Sequence, residues 1–270
     1  MSAPDAPSPA LPTHIRLVAS VVRRLPSSWR QTYIRERRAI RRRQRTKAEA
    51  AGSRHLSRPA LYEMDVQLAA LLPDGGTFFE AGGNDGFEQS NTYLLERFHG
   101  WKGVLVEPIP HLAAEARRNR PRAQVVEAAL VPIDHDGSAI AMRYGGLMSA
   151  VAGTLIANED DESWAKQVSA LGLEEPYDVE VPARTLSSIL DEAGIVDLDL
   201  LSLDIEGFEV AAIAGLDLER HAPRWALVEV RDADAVTAVT AALGDRYVVD
   251  RHLSPFDVLY RRTDVPPRTS

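Results

Sequence analysis

Three apolar runs in this chain end on acids or glycines in patterns that suit ligand chemistry. Phe78-Phe79-Glu80-Ala81-Gly82-Gly83-Asn84-Asp85-Gly86 passes from an apolar stretch into glycines. Val104-Leu105-Val106-Glu107-Pro108 ends on a carboxylate 25 residues beyond Gly82. Leu200-Leu201-Ser202-Leu203-Asp204-Ile205-Glu206-Gly207-Phe208-Glu209 closes on several acids around one glycine. Glycines let a backbone approach a ligand closely, and Glu80 at a strand end can accept hydrogen bonds from a ligand ammonium. Glu107 at the next strand end would accept from both hydroxyls of a ribose. Asp204 and Glu206 share a face and form either a ligand, proton or metal site or a helix-capping cluster, with Glu209 favoured at a helix N-terminus.

The spacing argues against a dinucleotide. A G-x-G-x-x-G fingerprint begun at Gly82 needs glycines where Asn84 and Phe87 stand. Glu80 and Asp85 would also repel a pyrophosphate. A cationic, phosphate-free nucleoside fits better, and S-adenosylmethionine carries an ammonium and a sulfonium. The chain has no cysteine, which excludes disulfides, zinc thiolates and a cysteine nucleophile.

These acids must be carried by strands and helices in alternation. Helices are expected over Leu61–Leu72, Phe87–Phe98, His111–Asn119, Thr185–Ala193, Glu209–Ala214 and Asp232–Leu243. Strands are expected over Gly76–Ala81, Gly103–Val106, Gln124–Val131, Ala139–Tyr144, Leu198–Ile205, Trp225–Val230, Arg246–His252 and Phe256–Arg261. The alternation predicts an α/β fold with a mostly parallel sheet between helices. The last two runs are too close for a crossover helix, so they must form an antiparallel hairpin.

The chain resembles the FkbM family of S-adenosylmethionine-dependent O-methyltransferases. The resemblance rests on FFEAGGNDGFEQSNTYLLERFHGWKGVLVEPIP (78–110), VPARTLSSILDEAG (181–194) and LDLLSLDIEGFEVAAIAGLDLERHAPRWALVEV (198–230), and spans roughly residues 75–262. It implies a class I methyltransferase, a Rossmann-like fold of seven strands with the last antiparallel. It also implies that Glu80, Gly82, Asn84 and Gly86 surround the methionine moiety, that Glu107 holds the ribose, and that Ala128 and Ala129 cover the adenine. Asp204 and Glu206 match the family's D-x-E-G signature at the methyl-transfer edge.

Methyl transfer to a hydroxyl needs alignment and removal of a proton. The sequence leaves two routes. In one, Asp204, Glu206 or a histidine is the base, and His252, ending a strand on the active edge, is the best histidine. In the other, Asp204, Glu229 and Asp232 hold Mg²⁺ against the acceptor oxygen. The stretch Gly145–Trp164 reads as part of the acceptor pocket, and its acids disfavour an anionic acceptor. The expected acceptor is therefore a saccharide hydroxyl of a glycan, glycolipid or glycosylated natural product. The alternatives are a macrolide or polyketide hydroxyl, or a non-catalytic cofactor-fold module docking on a membrane assembly.

The 270 residues are 45 % apolar and 26 % charged, a globular composition. The net charge of −8 is unevenly placed. Residues 14–58 hold 14 Lys and Arg against two Glu, a net +12, whereas residues 59–270 hold 17 basic and 36 acidic groups, a net −19. The organisation expected is a disordered leader (1–13), a basic helical extension (14–58), the methyltransferase domain (59–265) and a tail (266–270). The extension is either a solvated helix or oligomer contact, or an adhesion to anionic lipid. It carries no nucleic-acid motif beyond charge, so no nucleic acid is expected. It lies outside the family resemblance and is expected to be dispensable for cofactor binding. No apolar run is long enough to span a bilayer, and the expected address is cytoplasmic, with peripheral contact at the inner membrane surface as an open alternative.

Overall fold

The structure, a computed structural model, describes residues 26–145, 149–151 and 176–266. It begins with a long helix, α1 (Ser27–Ala50), followed by a 3-10 turn (Leu61–Glu63) and α2 (Met64–Leu71). Then come β1 (Thr77–Ala81), α3 (Tyr93–Phe98), β2 (Lys102–Val106), α4 (Pro110–Asn119) and β3 (Gln124–Val126). A second group comprises β4 (Ala129–Leu130), β5 (Ala139–Tyr144), β6 (Ala150–Val151) and β7 (Tyr177–Arg184). The chain returns through α5 (Leu186–Ala193), β8 (Leu200–Leu203), α6 (Glu209–Ile213), β9 (Trp225–Glu229), α7 (Ala233–Leu243), β10 (Tyr247–His252) and β11 (Asp257–Arg262).

Seven strands form one sheet in the order β10-β11-β9-β8-β1-β2-β3. Only β11 runs antiparallel, inserted between β9 and β10. This is the class I methyltransferase arrangement, with the order reversing between β1 and β8. Neighbouring residues on each strand point to opposite faces. Phe79, Val104, Leu201, Leu203 and Val228 face α5 and α7 in one core. Phe78, Leu200, Leu227 and Leu259 face α2 and Trp101 in another. Local caps fix the helices: Thr185 accepts from the Ser188 N–H, Asp232 accepts from the Ala235 N–H, and Gly194 ends α5 in the left-handed region at φ 66°.

Several elements differ from expectation. The helix expected over Phe87–Phe98 is helical only from Tyr93. The run Gln124–Val131 divides into β3 and β4, which belong to different sheets. The helix over Leu61–Leu72 is kinked at Tyr62 and Glu63, both with positive φ. Strand β7 was not anticipated; it pairs antiparallel with β5 and parallel with β4 to make a four-stranded sheet. Most of the stretch Gly145–Trp164 lies outside the described residues.

Candidate functional site

Register fixes the site. Ala81 pairs with Val106 on one side and Leu203 on the other, Leu203 pairs with Val228, and Glu229 pairs with Asp257. One residue further along, the strand ends set out a row across the sheet edge: Glu107, Gly82, Asp204, Glu229, Asp257. Four carboxylates flank a single glycine. Adjacent members stand about 5 Å apart, the spacing of paired strands.

Gly82 is required at its place. Its φ is +80°, and a Cβ there would stand 1.8 Å from the Asp204 carbonyl oxygen. The backbone can therefore close β1 against β8 only without a side chain. The turn continues through Asn84 (φ 48°) and Gly86 (φ 78°), where a Cβ would meet α4 at Ala116, 2.9 Å away. Asp85 accepts from the Phe87 and Glu88 N–H groups and shapes the loop.

Glu107 is buried. Its two oxygens accept from the Asn84 N–H at 2.8 Å and the Ile109 N–H at 2.9 Å. Burial pushes its carboxyl up to about 8, against the pull of those two bonds and with a smaller push from Asp85. A ligand hydroxyl donating to it would favour the ionised form. Ala128 and Ala129 are buried just past β3, the strand beside Glu107. Ala129 packs with Ile109, Leu112 and Met142.

Glu80 is buried. One oxygen accepts from the Asn91 N–H; the other accepts from the Ser90 and Thr92 hydroxyls and from Arg120. Arg120, 1 % exposed, also donates to Glu96 at 2.5 Å. This buried network folds residues 88–92 back onto β1 and ends the expected helix. Unlike Glu107, Glu80 is neutralised by a buried guanidinium, that of Arg120, and it holds the loop in place.

At the other end of the row the acids crowd. Burial raises Asp204 well above the ordinary carboxylate range, and the charges of Glu229, Glu206, Asp257 and Glu209 add to it. Burial, then the Glu229 charge, lifts Glu206 to about 7 against the opposing pull of Arg231, with which Glu206 is paired. Glu229 is raised by burial and shares a hydrogen bond with Asp204. Glu209 accepts from the Ile205 and Gly207 N–H groups, each at 3.0 Å, so it caps the D-x-E-G turn. Within one motif Glu209 caps the turn, and Asp204 is the buried acid whose ionisation its neighbours oppose.

Two expected members are elsewhere. His252 is exposed on the outermost strand, with β11 and β9 between it and β8. That is three strand spacings, about 14 Å, too far for proton transfer at Asp204. Asp232 is committed to capping α7, so the set Asp204, Glu229 and Asp232 does not assemble. Among the described residues no group of three or more acids or histidines is arranged to hold a metal ion. Asp257 is a member of the row that the sequence reading missed. Its signal was available: an antiparallel strand begins at the edge where its parallel neighbours end.

Helix α1 is built into this region. The Arg45 guanidinium lies 3.6 Å from the Phe87 ring centroid and donates to the Asn119 side chain at 2.7 Å. Asn119 in turn donates to the Asp85 carbonyl at 2.7 Å. Arg42 pairs with Glu115 at 2.9 Å. Glu49 accepts from the Tyr93 hydroxyl at 2.7 Å, Ser57 at 2.8 Å and Arg97 at 2.8 Å.

Comparison with known proteins places the chain in a family. Residues 80–247 match the Methyltransferase FkbM domain family. A relative, Methyltransferase 1 of Beauveria bassiana (strain ARSEF 2860), is 27 % identical over 168 residues, which cover 59 % of this chain and 64 % of the relative. The chain thus spans less than two thirds of that relative's length. Similar solved structures include a methyltransferase FkbM from Methylobacillus flagellatus KT, with 15 % identity, 70 % of this chain and 44 % of that one covered, and a TM-score of 0.43. Another is a TehB-like methyltransferase from Corynebacterium glutamicum, with 13 % identity, 84 % and 98 % covered, and a TM-score of 0.40. The family match takes in more than half of the chain, including Gly82, Glu107 and Asp204 of the acidic row, and the chain belongs to the FkbM methyltransferase domain family.

Proposed function

We propose that this protein is an S-adenosylmethionine-dependent O-methyltransferase whose acceptor is a neutral saccharide hydroxyl. The observation that carries the reading is the acidic row, in which Asp204 sits beside the side-chain-free turn at Gly82. The donor set fits a nucleoside: a carboxyl at the ribose position and a backbone cradle that a Cβ would fill. Glu107 and the turn Gly82–Gly86 would hold the nucleoside and methionine ends.

S-adenosylmethionine supplies a methyl group activated on a sulfonium. The chain's own work is to align the acceptor oxygen and to take its proton as the oxygen–carbon bond forms and the sulfur–carbon bond breaks. Asp204 is the base, and Glu229, hydrogen-bonded to it, shares the proton. Arg231, paired with Glu206, limits the negative charge around the base. The same acids favour an uncharged acceptor.

The test is a methyl-transfer screen of the full chain against neutral mono- and oligosaccharides, anionic sugars and macrolide hydroxyls, with cofactor binding measured by calorimetry. Transfer to a neutral saccharide with loss of one acceptor proton supports the reading. Cofactor binding with transfer only to macrolides or anionic sugars overturns the acceptor class. No cofactor binding overturns the whole assignment.

A further inference from the structure

Helix α1 bonds to the body through one side. Arg38, Arg42, Arg45 and Glu49 recur at helical spacing along the docked side, and the last three bond to the body. At about 3.6 residues per turn, Trp29, Ile40, Arg43 and Lys47 share the opposite, outward sector. Trp29 is 67 % and Ile40 51 % exposed. Arg43 and Lys47 are exposed as well, with Glu36 as the acid among them.

One exposed apolar side chain is ordinary on a protein surface. A tryptophan and an isoleucine three turns apart, set among cations on one face, form a different pattern. That is the composition of a helix lying in the plane of a lipid interface, with apolar side chains below the headgroups and cations beside the phosphates. A nucleic acid would use the cations, but Ile40 has no counterpart in a phosphodiester and Trp29 is the sector's one tryptophan for base stacking. The charge distribution supports the same orientation. The body carries −19 and is repelled by an anionic surface, so attraction is confined to the segment holding +12. Among the described residues no helix is long and apolar enough to cross a membrane, so α1 could meet a bilayer only at its surface.

We propose that the outward face of α1 seats this protein on an anionic bilayer. Trp29 and Ile40 enter the headgroup boundary, and Arg43 and Lys47 lie against lipid phosphates. The docked face of the same helix stays on the protein.

The experiment uses the full chain and vesicles of phosphatidylcholine with or without phosphatidylglycerol. Co-sedimentation is expected only with phosphatidylglycerol present. Salt near 1 M should release the protein, because the screening length falls to about 3 Å. Trp29 emission should shift to the blue on binding, and the shift should vanish in Trp29→Phe. Reversing Arg43→Glu and Lys47→Glu together should weaken partitioning by about thirtyfold or more. Unaltered thermal unfolding of that variant checks that it is folded. Three outcomes overturn the proposal: equal binding to phosphatidylcholine alone, full retention of binding in the double variant, or single-stranded RNA outcompeting phosphatidylglycerol vesicles at equal charge.

Discussion

The guanidinium of Arg45 lies 3.6 Å above the centre of the Phe87 ring, so α1 grips the loop that leaves β1. An extension dispensable for the cofactor is not what this contact describes. Buried cation–π pairs contribute about 2 kcal/mol. Arg45→Ala should therefore lower stability by about 1–2 kcal/mol and weaken cofactor binding, and Arg45→Lys should recover part of each. A chain lacking residues 1–58 should bind cofactor less well than the full chain. Calorimetry on the three proteins checks this, and equal affinities would show that the loop holds its shape unaided.

Glu107 gives a pH dependence with a definite sign. Its carboxyl is raised from 4.5 to about 8 in the folded protein. Between those values the folded state holds a proton that the unfolded state has released. The Glu107 contribution to stability therefore declines as pH rises from about 4.5 to about 8, and the loss is complete above that. Denaturant melts across this window should show the decline, and Glu107→Gln should flatten it.

Cofactor binding should show the converse. Ribose hydroxyls donate to the ionised Glu107, so binding near neutral pH should release protons. Calorimetry in buffers of different ionisation enthalpy reads that release directly. Glu107→Ala should weaken binding by about 1.5–3 kcal/mol for each charge-assisted bond lost; unchanged affinity in a folded variant would falsify the ribose assignment.

Asp204→Asn keeps size and removes the charge the proposed base needs. Turnover should fall by about 10²-fold or more, with little change in cofactor affinity. In the wild type, kcat should rise with pH through a range above that of an ordinary carboxylate, because burial and the neighbouring acids raise Asp204. Glu206→Gln should shift that rise downward, because it removes one of the charges that raise Asp204. Near-full turnover in Asp204→Asn would return the motif to a purely capping role.

Chelation separates the two routes to proton removal. Asp232 is occupied by the Ala235 N–H and Glu206 by Arg231. EDTA should therefore leave turnover unchanged, and Asp232→Ala should act on the α7 cap, lowering stability by about 1 kcal/mol and sparing activity. Loss of activity with EDTA, restored by Mg²⁺, would sink the base mechanism.

Much of this was legible because it is local. The continuous apolar runs at Phe78, Val104, Leu200 and Trp225 are strands buried on both faces, and their terminal acids necessarily share an edge in a parallel sheet. Asp232 and Gly194 mark helix ends by their own chemistry. What escaped is long-range. Ser90, Asn91 and Thr92 look helical until Glu80 and Arg120, remote in sequence, take their hydroxyls and an N–H group. Tyr177–Arg184 reads YDVEVPAR, without an apolar run, and becomes a strand because β5 and β4 offer it edges. His252 lies on the correct edge, as its position in the strand suggested. Its distance follows from β11 being threaded between β9 and β10, which spacing along the chain does not reveal.

Helix α1 is a single element whose two sides answer to different surroundings. Whatever immobilises its outer side removes part of the entropic cost of ordering Phe87 and Tyr93 on its inner side. The free energy of such coupling is reciprocal. A bilayer that tightened cofactor binding would be held more tightly by the cofactor-loaded protein, by the same factor, and attachment would then report the state of the active site without any contact between lipid and ligand.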